Sequence, residues 1–187
     1  MTTIIQERWE QIQKLSLKHG SHAPDSTFCV MEAVAYVAGE PWSDHPQCVP
    51  PTLGLLFRQW NDYLPTDKDR DRLLKAFIPR IVGLPQDDET ELRRAYLWID
   101  WDFRIALPMI FREAELSDEA EKLDRLPEIK KQADIKDLLA RLARLARLAR
   151  LARLARPALL DLLALKLNES KSALVERMIS IVPGETL

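Results

Sequence analysis

Six copies of Leu-Ala-Arg follow one another without interruption from Leu139 to Arg156. All three residue types are strong helix formers, so the tract commits this part of the chain to helix. Its period is three, whereas an α-helix turns about 100° per residue; each triplet advances about 300°, and each leucine falls about 60° behind the one before. Over six triplets the leucines and the arginines travel round the whole helix, and no straight apolar stripe forms. A 3₁₀ helix would align them, but 3₁₀ runs of this length are rare. The first reading is a long helix that touches different neighbours along its length, its arginine stems lying over apolar surface. The second is self-association, because neighbouring triplets are equivalent and a slip of three residues costs little. The third is contact with nucleic acid or another anionic surface through Arg141, Arg144, Arg147, Arg150, Arg153 and Arg156.

Charge bears on that choice. Residues 136–156 carry Lys136 and the six arginines against Asp137, a net +6, while the rest of the chain is net −8, within an overall −2. The asymmetry serves the third reading, and it equally serves an acidic remainder that neutralises a basic helix. A nucleic-acid binder is usually basic overall or interleaves aromatics with its arginines. This tract has no aromatic residue, which ranks nucleic acid behind a protein partner or a homo-oligomer.

The remainder of the chain also reads as helices. Thr3 with Gln6 fits a capping box, and Ile5, Trp9, Ile12 and Leu15 share a face of a helix expected to run to Gly20. A second helix is expected from Asp25 or Ser26, lined by Phe28, Met31, Val34, Ala35 and Ala38, with Gly39 as its stop. After a proline-rich loop, Pro51 opens a third. Thr66 with Asp69 caps a fourth that Pro79 kinks and Gly83 ends. Asp87 and Asp88 open a fifth through Ala106, which Pro108 bends or ends. Ser117 caps a short one to Leu126, and Leu174, Met178 and Ile181 form a last stripe. Only five glycines and few Val, Ile or Thr runs are present, so no strand signal survives. The predicted fold is all-α, a multi-helix bundle with a long C-terminal repeat helix. It divides into a helical N-terminal domain, 1–126, and a segment, 127–187, that packs on it or on a partner. Charges interrupt every apolar stretch before the roughly 18 residues a membrane span requires. The sequence MTTIIQERWE lacks the pattern of a signal peptide, so a cytoplasmic protein is expected.

Chemistry concentrates between His22 and Cys48. His22, Cys29, His45 and Cys48 are two imidazoles and two thiols, a donor set suited to tetrahedral zinc, and His45-x-x-Cys48 has ligand spacing. The competing reading makes Cys29 a small buried hydrophobe and His45 a loop residue. A third makes Cys29 a nucleophile in the first turn of its helix, where free N–H groups lower a thiol pKa, with His45 as base and Asp44 or Glu32 as orienting acid. No Gly-rich phosphate loop, H-E-x-x-H or Glu-x-x-His pair occurs. Asp100 and Asp102 point to different sides of a helix and read as surface or capping carboxylates.

The segment CVMEAVAYVAGEPWSDHPQC, residues 29–48, with Trp60-Asn61-Asp62 and Ser172-Ala-Leu-Val-Glu-Arg-Met-Ile179, resembles a family of bacterial and bacteriophage proteins that carry a low-complexity Ala- and Arg-rich helix. This chain departs from it in the tract, where leucine replaces much of the alanine. The resemblance implies that residues 22–48 are the functional centre, and it carries no activity with it. The expectation is a non-enzymatic binding or assembly protein that needs no cofactor, apart from a structural zinc if the four ligands converge. The alternatives are a small Cys- or zinc-dependent enzyme and a nucleic-acid binder.

Overall fold

The computed structural model describes residues 3–24, 27–135 and 160–184, and among them the chain is all-α. The helices are α1 (Gln6–Lys14), α2 (Val30–Ala38), α3 (Pro51–Tyr63), α4 (Asp67–Leu74), α5 (Ile78–Ile81), α6 (Asp88–Trp101), α7 (Leu107–Glu113), α8 (Ser117–Asp124) and α9 (Leu160–Ile179). The Leu-Ala-Arg tract lies outside the described residues, as do Asp25 and Ser26, where the second helix was expected to begin. No described helix is long and apolar enough to cross a membrane.

The chain groups into two compact units. One comprises Met1–Glu91 with Ile181–Gly184, the other Leu92–Ser180 with Glu185–Leu187, so the division falls within α6. A division at 126/127 was expected from the sequence.

In the first unit α2 is central and packs on α1, α3 and α5. Val30, Met31, Ala33, Val34, Ala35 and Val37 are all buried, and a helix apolar all round belongs inside. Gly39 ends it in the left-handed conformation, at φ 76°. That conformation favours glycine, and a Cβ here would also stand 3.0 Å from the Ile5 Cδ1, which would have to shift. α1 departs from expectation at both ends. Ile5, not Thr3, occupies the cap position; no side chain caps it, and the Ile5 N–H donates to Val37 O at 2.8 Å. The helix stops at Lys14, well before Gly20. Leu17 then pairs with Phe28 in an isolated parallel bridge, and Asp71 accepts both the Leu17 N–H and the Ser16 hydroxyl at 2.9 Å. Tertiary partners thus take the backbone groups that a longer helix would have used internally.

Other punctuation falls as expected. Pro51 is at the start of α3, and the Thr66 hydroxyl accepts from Asp69 N–H. Around Pro79 the chain passes through a 3₁₀ turn, Lys75–Phe77, into α5. The guanidinium of buried Arg70 donates to Asn61 O at 2.8 Å and to Leu64 O at 2.5 Å, closing the carbonyl end of α3.

In the second unit α6 runs into α7 through a π turn, Asp102–Ala106, where the Leu107 N–H reaches back five residues to Asp102 O. Pro108 explains the widening: it has no N–H for the carbonyl four residues earlier, and its ring crowds that carbonyl. α8 begins at Ser117 with Leu116 at the cap position, so the expected Ser117 cap is not formed. Phe111, Ala120 and Leu123 make a small core where α7 meets α8, and α9 also packs on α7. Leu174, Val175 and Met178 are the buried stripe of α9. Arg94, fully buried, donates to Met178 O at 3.2 Å.

Candidate functional site

The His22–Cys48 region lies within the first unit, and its hub is Glu32. Cys29 is the N-cap of α2, one residue outside the helix, not a member of its first turn. Its Sγ accepts from Glu32 N–H at 3.5 Å, while the Glu32 carboxylate accepts from Cys29 N–H at 2.7 Å. This is a capping box with a thiol in the place usually held by a hydroxyl. The same carboxylate accepts the His22 N–H at 2.5 Å and lies 2.9 Å from the His22 Nδ1. The His22 carbonyl in turn accepts from the Trp42 indole at 2.9 Å. Glu32 is 1% exposed, and each of its buried oxygens has a donor.

Glu32 therefore joins His22 to Cys29, whereas His45 is engaged elsewhere. Its side chain is 64% exposed and its Nδ1 lies 2.6 Å from Asp44. The acid–imidazole pairs are Glu32–His22 and Asp44–His45, so the expected Cys29–His45 couple is not formed. Cys48 is buried, and its carbonyl accepts from Gly83 N–H at 2.7 Å. The four expected zinc ligands are all described and do not converge; among the described residues no group of three or more His, Cys, Asp or Glu is placed to hold a metal ion.

Burial pushes the Cys29 thiol up from 9.0 to about 12, overriding the backbone hydrogen bonds that pull the other way; the Glu32 charge adds to the rise. Burial, with the Glu40 carboxylate, likewise pushes Cys48 up to about 12. The helix terminus that was expected to activate Cys29 is present, yet the loss of water outweighs it. Both cysteines are free thiols.

Two residues that were not singled out as site candidates complete the arrangement. Asn61, 1% exposed, donates from Nδ2 to Lys18 O at 2.9 Å and accepts the Val30 N–H at 3.3 Å. Asp62 accepts the Gly20 N–H at 3.0 Å. The Trp60-Asn61-Asp62 segment thus anchors the 15–30 loop to α3, with Trp60 fully buried beneath it. An Asn flanked by a core tryptophan and an acid, facing no apolar periodicity of its own, was the available signal. The six arginines from Arg141 to Arg156 lie outside the described residues. Compared with protein-family models, curated proteins and solved structures, the chain matches none of them.

Proposed function

We propose that the protein is a non-enzymatic helical binding or assembly protein, working through its arginine-rich tract. The observation that supports this reading is the role of the chemically suggestive residues: Cys29 caps a helix, Glu32 closes the cap and His22 is clasped to it. A thiol raised to about 12 is a neutral hydrogen-bonding group at physiological pH, the reverse of what a nucleophile requires. Two free cysteines are in keeping with a reducing, cytoplasmic setting.

The test is sedimentation velocity of the full chain over a wide concentration range, with a thiol titration and elemental analysis on the same sample. Mass that rises with concentration, with both thiols inert until denaturant is added, is the expected result. A monomer at every concentration with one fast-reacting thiol would put the alternative, a small cysteine enzyme, ahead of the assembly reading. About one zinc per chain, lost in Cys48→Ser, would add a structural metal to the picture. Leu148→Asp, in the tract, is expected to weaken association or lower the melting temperature.

A further inference from the structure

We infer that the aromatic row on the first unit, with the acids around it, is the docking face for the arginine-rich tract of a second copy of this chain; this rests on the assembly reading above. Phe28 stands between Tyr36 and Trp42, with ring centroids 5.2 and 4.8 Å away. All three rings are half-buried. Their polar ends are already held, the Tyr36 hydroxyl by Gln11 and the Trp42 indole by His22 O. The row is rigid before any partner arrives, so docking on it loses little side-chain freedom.

The row already accepts a guanidinium. Arg8 lies over the Tyr36 ring at 4.8 Å and donates to Tyr36 O at 2.9 Å. Acids flank these residues in the chain: Glu7 beside Arg8, Glu10 one helical turn on, and Glu40 and Asp44 on either side of Trp42. Among the described residues, the side chain of Glu10 pairs with Gln6, that of Glu40 with Gln47 and Cys48, and that of Asp44 with His45; Arg58 reaches only the Asp44 carbonyl, at 3.2 Å. Aromatic faces with acids close by in the chain suit arginine, which stacks and pairs at once. The surplus of arginine in this chain is in the tract, net +6 against −8 elsewhere. Charge complementarity therefore points to the tract as the occupant, and the assembly reading makes it the tract of a second copy.

The experiment is sedimentation velocity of the full chain at about 0.1 and 1 M salt, which shortens the screening length from about 10 to 3 Å. A face variant, Glu7→Gln with Glu40→Gln and Asp44→Asn, keeps the oxygens that Gln47 and His45 use. A tract variant changes Arg141, Arg144 and Arg147 to Gln. Each variant, and high salt, is expected to weaken association at least about tenfold. A charge-swapped pair, Glu7→Arg/Glu40→Arg mixed with Arg141→Glu/Arg144→Glu/Arg147→Glu, is expected to associate only on mixing. Association that responds to the tract and not to the face would overturn this inference and leave the assembly reading standing. A monomer whose melting temperature falls equally in both variants would assign the face to the chain's own tract, against a second copy. A monomer indifferent to both would remove the inference and the assembly reading together.

Discussion

Glu32 in the first unit and Asp100 in the second are both buried carboxylates, 1% and 5% exposed, and each clasps a distant loop. Glu32 holds the backbone of His22 and Cys29 and the His22 ring. Asp100 holds the Ile129 N–H at 2.8 Å and pairs with Arg104 at 3.0 Å. They differ in what surrounds them. Glu32 sits in the first turn of a helix, and it takes two backbone donors, the buried Cys29 N–H and the part-buried His22 N–H. Asp100 sits near the end of α6, two residues before the π turn, with one backbone donor and the Arg104 guanidinium, whose side chain is 30% exposed. The first loop has Glu32 as its buried carboxylate, beside the anchors from Asn61, Asp62 and Asp71, while the second shares its load with solvent.

The comparison breaks or holds on Glu32→Ala and Asp100→Ala. The first strands the buried Cys29 N–H at about 1–3 kcal/mol and the part-buried His22 N–H at less, so a loss of about 3 kcal/mol is expected. The second strands one, and Arg104 turns to water, so about 2 kcal/mol is expected. Urea titration of each variant measures both. Equal losses would mean that the 15–30 loop is held as much by Asn61 and Asp71 as by Glu32.

Alkaline pH tests the first unit from another side. Below pH 9 the Cys29 thiol is protonated in the folded and the unfolded chain alike, and it contributes no slope. Between 9.0 and about 12 only the unfolded chain gives up its proton. Stability should therefore fall as pH rises through that window, by up to about 1.4 kcal/mol per pH unit for each such thiol. Cys48 adds a second contribution of the same sign. Thermal melts from pH 7 to 11 on the protein and on Cys29→Ser are the measurement. Serine keeps the cap and removes the titration, so the variant should match the parent at pH 7 and exceed it at pH 11. Cys29→Ala, which removes the cap as well, should lose about 1 kcal/mol at pH 7. A serine variant with an unchanged alkaline slope would show that Cys29 is not buried as described.

These contrasts explain what could be read in advance. Pro51, Thr66, Gly39 and Gly83 act through the backbone of their own neighbourhood, and they mark helix ends where expected. Pro108 announced a break, and the π turn is how the chain accommodates it. Glu32 was legible as an acid near Cys29, three residues on, but its partner is His22, ten residues back across a loop. No spacing rule separates His22 from His45; burial does, and burial is decided by α3 and α4 through Asn61 and Asp71. Asp100 was misread as a surface or capping carboxylate for the same reason, since its partner Ile129 lies 29 residues away.

The two histidines supply the finest version of the comparison. His22→Ala leaves the Glu32 backbone contacts in place and removes only the ring, so a loss of about 1 kcal/mol is expected. His45→Ala removes an exposed ring that pairs with its own neighbour, and a change within about 0.5 kcal/mol is expected. Parallel chemical denaturation at pH 7 resolves the two. A loss at His45 as large as that at His22 would be more than an exposed Asp44–His45 pair can supply. It would point to a partner for His45 beyond Asp44, and the four-ligand reading of His22, Cys29, His45 and Cys48 would be the first to reconsider, by repeating the measurement with and without a chelator.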